Sequence, residues 1–212
     1  MFHRILRKTP VVLGALIALV LCAAPALGSP PNPERLQPSA DERERLDAGE
    51  VIARASRGDL IRMDVAAVVD APLDAVWDVV WDFGSSSQWV PDMLESTVIE
   101  RGSDWFVADA VTGLPFPLRD RVYRLRVQRA SVPEPLRASH WENVPGHGNI
   151  NVMRGFWILE PWNDDPNRTL VRQVTLADFN IAIPDGLVTR GARRELPATI
   201  RALRRRVAAR SR

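Results

Sequence analysis

Three residue types that carry chemistry in many chains are nearly missing here: among 212 residues there is one Cys, one Lys and three His. The Cys is Cys22 and the Lys is Lys8, both within the first 28 residues. Whatever follows residue 28 therefore has no disulfide, no thiolate nucleophile and no Cys metal ligand. A Schiff-base lysine is excluded on the same count. The sequence also lacks G-x-S-x-G, G-x-G-x-x-G and a P-loop, so a serine-hydrolase elbow and dinucleotide or nucleotide phosphate cradles have no support, and no cofactor is expected. There is no internal repeat.

What is present begins with a leader-like segment. His3, Arg4, Arg7 and Lys8 form a basic start, Val11 to Leu21 is apolar apart from Gly14, and "APALGS" offers Ala26 and Gly28 before Ser29. This pattern reads as a secretory signal over residues 1–28, and hence as export to a periplasm or beyond. Two other readings stay open: an uncleaved anchor, because Val11 to Leu27 nearly spans a bilayer core, and lipid attachment at Cys22, against which the bulky Leu21 argues. Removing residues 1–28 takes away Arg4, Arg7 and Lys8 and no acid, so the 28 basic residues fall by three, to one below the 26 acidic ones. The formal charge of +2 is thus a property of the leader, and the remainder has no basic excess that would attract nucleic acid.

"SPPNPERLQPS" (Ser29 to Ser39) reads as an extended linker, followed by a short charged helix to about Ala48 that Asp41 is placed to cap, so residues 29–48 precede a domain spanning 49–209. Alternation in "LIRMDVAAVVD" predicts two strands between Glu50 and Asp70, divided at Arg57-Gly58-Asp59. "PLDAVWDVVWDF" predicts an amphipathic helix from Pro72, with Val76, Val79, Val80 and Phe83 on its apolar arc and Asp74, Asp78 and Asp82 on a solvated face. Six more strands are expected at Ser96–Arg101, Trp105–Val111, Arg119–Ala130, Leu136–Asn143, Gly155–Trp162 and Thr169–Phe179, an antiparallel meander by their short breaks. A long helix from Pro184 to about Ala209, with Pro197 inside it, closes an α+β chain.

The blocks "VVDAPLDAVWDVVWDF", "WVPDMLESTVIER", "LPFPLRDRVYRL", "GFWILEPW" and "IPDGLVTRGARRELPATIRALRRRV" occur in an order that resembles the START-like (SRPBCC) superfamily, in particular its polyketide cyclase/dehydrase and coenzyme Q-binding START-type branch. The resemblance covers roughly Glu50 to Arg206. It implies a helix-grip fold, a curved antiparallel sheet wrapped around the C-terminal helix with an apolar cavity between them. Members of the superfamily bind lipids, sterols, quinones or polyketide-like compounds, and a minority use the cavity for cyclisation or hydrolysis.

The partner expected is accordingly a hydrophobic small molecule or lipid of the quinone, sterol or acyl-chain type. Phe106, Tyr123, Trp141, Phe156, Ile158 and Phe179 on the strands and Val188 and Leu196 on the last helix are the candidate wall. Arg121 and Tyr123 in "LRDRVY", Asn149 and Asn151 in "GNINV", and Arg154 are the candidates for orienting a polar head. Small residues at Ala108, Ala138, Gly155 and Ala177 favour open volume beneath the helix. "HWENVPGH" can be drawn as a cluster of His140, Glu142 and His147, but its spacing matches no metal motif and no metal is expected. A second reading is a polyketide-cyclase-like enzyme using His140, Tyr123 and Arg121, which requires His140 and Tyr123 to share one face. A third is a protein-interaction module with no ligand. Arg201, Arg204, Arg205, Arg206, Arg210 and Arg212 offer transient contact with an anionic membrane surface, although the dipole at a helix C-terminus favours cations in any case.

Overall fold

Alternation beginning at Val51 sets up strands wherever no turn signal interrupts it. The computed structural model describes residues 37–114, 116, 118–181 and 185–211, with the backbone alone at 185, 187 and 189. Among these the order is α1 (Ala40–Asp47), β1 (Val51–Arg57), β2 (Ile61–Val69), α2 (Leu73–Trp81), a 3-10 helix (Phe83–Gln88), β3 (Met93–Arg101), β4 (Trp105–Thr112), β5 (Arg121–Arg129), β6 (Arg137–Gly148), β7 (Val152–Trp162), β8 (Asp165–Asp178) and α3 (Asp185–Arg210). The expected leader with Cys22, the linker as far as residue 36, Pro184 and Arg212 lie outside the described residues.

The eight strands form one antiparallel sheet in the order β1-β2-β8-β7-β6-β5-β4-β3. β3 to β8 are the expected meander, and the β1–β2 hairpin joins it through β2 against β8. Each strand has an inward face towards α2 and α3 and an outward face. Val65, Ala67 and Val69 of β2, Leu159 of β7 and Val171 of β8 point inward and pack with Val76, Trp77 and Val79 of α2 and Ile200, Leu203 and Val207 of α3. The sheet curves around the helix, so the architecture is the expected α+β helix grip.

The outward face has packing of its own. Leu46 of α1 is fully buried among Ile52, Val68, Trp162 and Leu170, and the Trp162 Nε1–H donates to the Asp47 carboxylate at 2.6 Å. α1 therefore belongs to the packed body, and the boundary expected near Gly49 falls inside it. Its cap also differs from expectation: the Ser39 hydroxyl accepts from the Glu42 N–H, and the Glu42 carboxylate accepts from the Ser39 N–H. That is a reciprocal capping box built on Ser39 and Glu42, with Asp41 in the first turn where it favours the helix dipole.

α3 is tied down at its C-terminal half. Arg204 donates to the Val68 carbonyl at 2.7 and 3.1 Å and to the Gly49 carbonyl at 3.1 Å. Arg206 reaches Gln88 at 3.1 Å, and Arg210 pairs with Asp82. Three of the arginines expected at a membrane surface thus hold the helix to the domain, while Arg201 and Arg205 remain exposed. α3 rests chiefly on β1, with smaller contacts on β2 and α2, and among the described residues it leaves the middle strands β5, β6 and β7 largely untouched.

Candidate functional site

Strand parity decides which side chains gather in the space α3 leaves. Along β5, Arg121, Tyr123, Leu125, Val127 and Arg129 share the inward face. The register sets Thr112 opposite Arg121, Ala110 opposite Tyr123, Ala108 opposite Leu125 and Phe106 opposite Val127 on β4. Val127 in turn lies opposite Trp141 of β6. With Ile150 these residues form an apolar cluster bordered by Trp81, Phe83, Met153, Trp157 and Phe179. Phe106 meets Trp81 edge to face, ring centroids 5.0 Å apart, a favoured aromatic geometry.

Next to this cluster the inward face is incompletely covered. Met153 and Trp157 of β7 and Gln173 and Thr175 of β8 face the same side and remain half-buried, whereas Val65, Ala67 and Val171 beneath the C-terminal half of α3 are buried. Among the described residues α3 makes few contacts with this stretch of the inward face, which stays half-open. Gly155 shapes that wall: a side chain there would collide with the Trp141 ring and the Val174 carbonyl. The indole of Trp141 occupies that room, 6.5 Å from the ring of Trp157.

The polar groups of the inward face lie at one end of β4 and β5. The Tyr123 hydroxyl and the Thr112 hydroxyl are 2.9 Å apart, and either can donate. Burial pushes the Tyr123 pKa above its ordinary value, against the opposing effect of the Thr112 bond, so the phenol stays protonated. Arg121 is only 6% exposed, and its Nε meets no acceptor. At the other end of β5, the Arg129 guanidinium lies over the Trp81 ring at 4.5 Å and near Trp77 at 5.6 Å, which are themselves stacked with centroids 5.6 Å apart. A separate open cleft of about 340 Å³ lies beside Arg129, lined among others by Trp77, Val132, Glu134, Leu136 and Arg137.

Of the residues named from sequence, Phe106, Tyr123, Trp141 and Arg121 are brought together, and Phe179 packs against their cluster. Leu196 instead packs against the α2–α3 core, and Val188 is half-buried on α3. Phe156 and Ile158 are corrected: they occupy the outward face with Ala138 and Val174, beneath Ala130, Val132 and Leu136. Ala138, expected to open inner volume, goes with them. Asn151 is an exposed turn residue whose amide nitrogen donates to Asp178 at 2.9 Å and to Asn180 at 3.3 Å, so it braces two loops instead of orienting a ligand.

The catalytic grouping also comes apart. His140 lies opposite Phe156 and Gln128 and so points outward, away from Tyr123 and Arg121. Both its ring nitrogens lack a partner, and burial holds its pKa below the ordinary histidine value. His147 lies further along β6, where its charge acts on Asp109, the carboxylate that Arg124 grips at 2.7 and 2.9 Å. The two histidines lie at different places along β6, His140 opposite Gln128 and His147 next to Gly148, which faces Tyr123. The three Asp of α2 are likewise no cation site: Asp74 pairs with Arg137 at 3.2 Å, Asp82 with Arg210, and Asp78 is exposed.

Residues 69–204 match the family described as polyketide cyclase / dehydrase and lipid transport. The chain belongs to that family. Among solved structures, a STAR-related lipid transfer protein from Xanthomonas axonopodis superposes with a TM-score of 0.63 at 22% identity, over 74% of this chain and 92% of that one. Human StAR-related lipid transfer protein 5 gives 0.60 at 16% identity, over 76% and 88%. The Zhui aromatase/cyclase of a Streptomyces species gives 0.51 at 19% identity, over 72% and 96%. At these identities the likeness is one of fold. No curated protein matches the sequence significantly.

Within this polyketide cyclase / lipid transport domain, the wall residues missed from sequence are Ala110, Thr112, Leu125, Val127, Ile150 and Met153. Leu125 and Val127 were within reach, because strict alternation in "RVYRLRVQR" places them with Tyr123. Thr112 had no sequence signal, since only the β4–β5 register sets it beside Arg121 and Tyr123.

Proposed function

We propose that the domain is a container for a hydrophobic small molecule or lipid, of the quinone, sterol or acyl-chain type, held between α3 and the middle strands and carried or sequestered outside the cytoplasm. The observation that carries this reading is the inward wall of Met153, Trp157, Gln173 and Thr175, half-buried on the helix side and, among the described residues, little contacted by α3. Apolar burial supplies the affinity such a wall needs, at roughly 25 cal/mol for each Å² removed from water. Membership of a family described by lipid transport and the fold shared with two proteins named for lipid transfer support it further. Export rests on the leader pattern of residues 1–28, and contact with an anionic membrane rests on the exposed Arg201 and Arg205.

A cyclase-like reaction through His140, Tyr123 and Arg121 has no support, because His140 and Tyr123 project from opposite faces of the sheet. The container reading is tested by native mass spectrometry and solvent extraction of the protein purified from its own cell envelope. A co-purifying apolar molecule is the expected result. Recovery of none, together with failure of the extracted protein to take up a hydrophobic dye, overturns the reading.

A further inference from the structure

The inward row of β5 has an arginine at each end, and the two are treated differently. Arg129 lies over two indole rings and is exposed. Arg121 is buried to 6% exposure in the wall that also holds Tyr123 and Leu125. Among the described residues no hydrogen bond, ion pair or ring contact reaches its guanidinium, and its Nε is shut away from solvent with no acceptor. The groups nearest in register are hydroxyls: Thr112 directly opposite, and Tyr123 two residues along. Of the carboxylates near this end of the sheet, Asp120 accepts from the Leu114 N–H, Asp92 bonds Glu195 of α3, Asp109 is held by Arg124 on the outward face, and Asp178 is held by Asn151 and Asn180 at the loop.

A guanidinium Nε–H buried with no acceptor carries a desolvation cost that no bond among the described residues offsets. It is removed when a partner arrives from outside. A guanidinium presents parallel N–H donors matched to a planar oxyanion. In the Thr112–Tyr123 pair one hydroxyl donates to the other, so the acceptor of that bond keeps its own proton for a third oxygen. The cluster therefore offers one positive charge and one free O–H, and it lies at the end of an otherwise apolar wall.

We propose that the molecule held in the chamber is an amphiphile with a carboxylate head, bound by Arg121 with the Thr112–Tyr123 hydroxyl pair, and that neutral alcohols and quinones are disfavoured. This inference rests on the container reading and narrows it to monoanionic ligands. A neutral head leaves the buried charge uncompensated, whereas a single carboxylate balances it.

The test uses delipidated protein and three probes of equal chain length, dodecanoate, 1-dodecanol and methyl dodecanoate, each displacing the neutral dye Nile red. Dodecanoate is expected to bind on the order of tenfold to a hundredfold more tightly than the other two, the range for a charge-assisted hydrogen bond. In Arg121→Met the acid preference disappears, so that dodecanoate and 1-dodecanol bind alike. Dodecanoate also raises the thermal midpoint of the original protein, and the substitution removes that gain. Equal binding of the three probes by the original protein overturns the inference and leaves the container intact. A preference that survives in Arg121→Met overturns the role of Arg121. If neither the dye nor any probe binds, the container reading falls and this inference with it. Should Arg121→Met fail to fold, the contrast among the three probes on the original protein still decides.

Discussion

Gly148 shows how one residue sets the geometry of the chamber end. Its φ of +93° lies in the left-handed region, it faces Tyr123 where the β5–β6 register shifts, and a side chain there would run into the Val122 carbonyl. Gly148→Ala should cost about 1–3 kcal/mol from the backbone conformation alone, with the collision adding to it, read as a lower urea midpoint. His140 sets a pH dependence. Burial lowers its pKa in the folded chain, so the unfolded chain takes up a proton first as pH falls, and stability is lost below the unfolded value of about 6.5. The thermal midpoint should drop between pH 7 and pH 5, and His140→Gln should flatten that drop; equal slopes for the two proteins would sink the assignment. At this scale the sequence was legible only where a strand is polar on one side. β5 alternates cleanly, so Tyr123 and Arg121 could be placed together. β7 is apolar on both faces, Phe156 and Ile158 outward and Trp157 and Leu159 inward, because turn residues cover its outer side, and parity there cannot be read without the neighbouring strands.

Among the elements, α3 combines apolar burial with a polar clamp. Leu203 is fully buried against α2 and β2, and Leu203→Ala should destabilise by about 2–5 kcal/mol. Arg204→Ala removes every bond to the Val68 and Gly49 carbonyls and should cost about 1–3 kcal/mol, with Arg204→Lys recovering only part, since a lysine cannot serve both carbonyls from one fork. Denaturant midpoints measure both. The strands and main helices follow the order expected from alternation and turn residues, since each depends on local pattern. What the local pattern hid was continuity: "VPGHG" contains Pro145, Gly146 and Gly148 and reads as a turn, yet β6 runs through it, with both glycines at positive φ bending the strand instead of ending it. The 3-10 helix after α2 was equally hidden. It is held from a distance by Ser96, whose hydroxyl accepts from the Ser87 N–H and donates to the Gly84 carbonyl.

For the molecule as a whole, binding of the proposed ligand would make stability and occupancy one equilibrium. A ligand that binds only the folded domain stabilises it in proportion to the logarithm of its concentration, about 2.7 kcal/mol at a hundred times its dissociation constant. Delipidated protein should therefore unfold at a lower temperature than protein purified without extraction, and the difference should return on adding back the extract; identical scans before and after delipidation would contradict a bound ligand.

The pairing of Trp141 and Trp157 across the chamber wall also gives the protein an optical readout of its own. Their rings stand 6.5 Å apart on the inward face, in a chain with a single tyrosine, so its near-ultraviolet emission is essentially that of indole. An apolar guest that displaces water from those two rings moves their emission to shorter wavelength. The other five tryptophans, Trp77, Trp81, Trp89, Trp105 and Trp162, supply a background emission. Filling of the chamber can thus be followed in real time without a dye or a label.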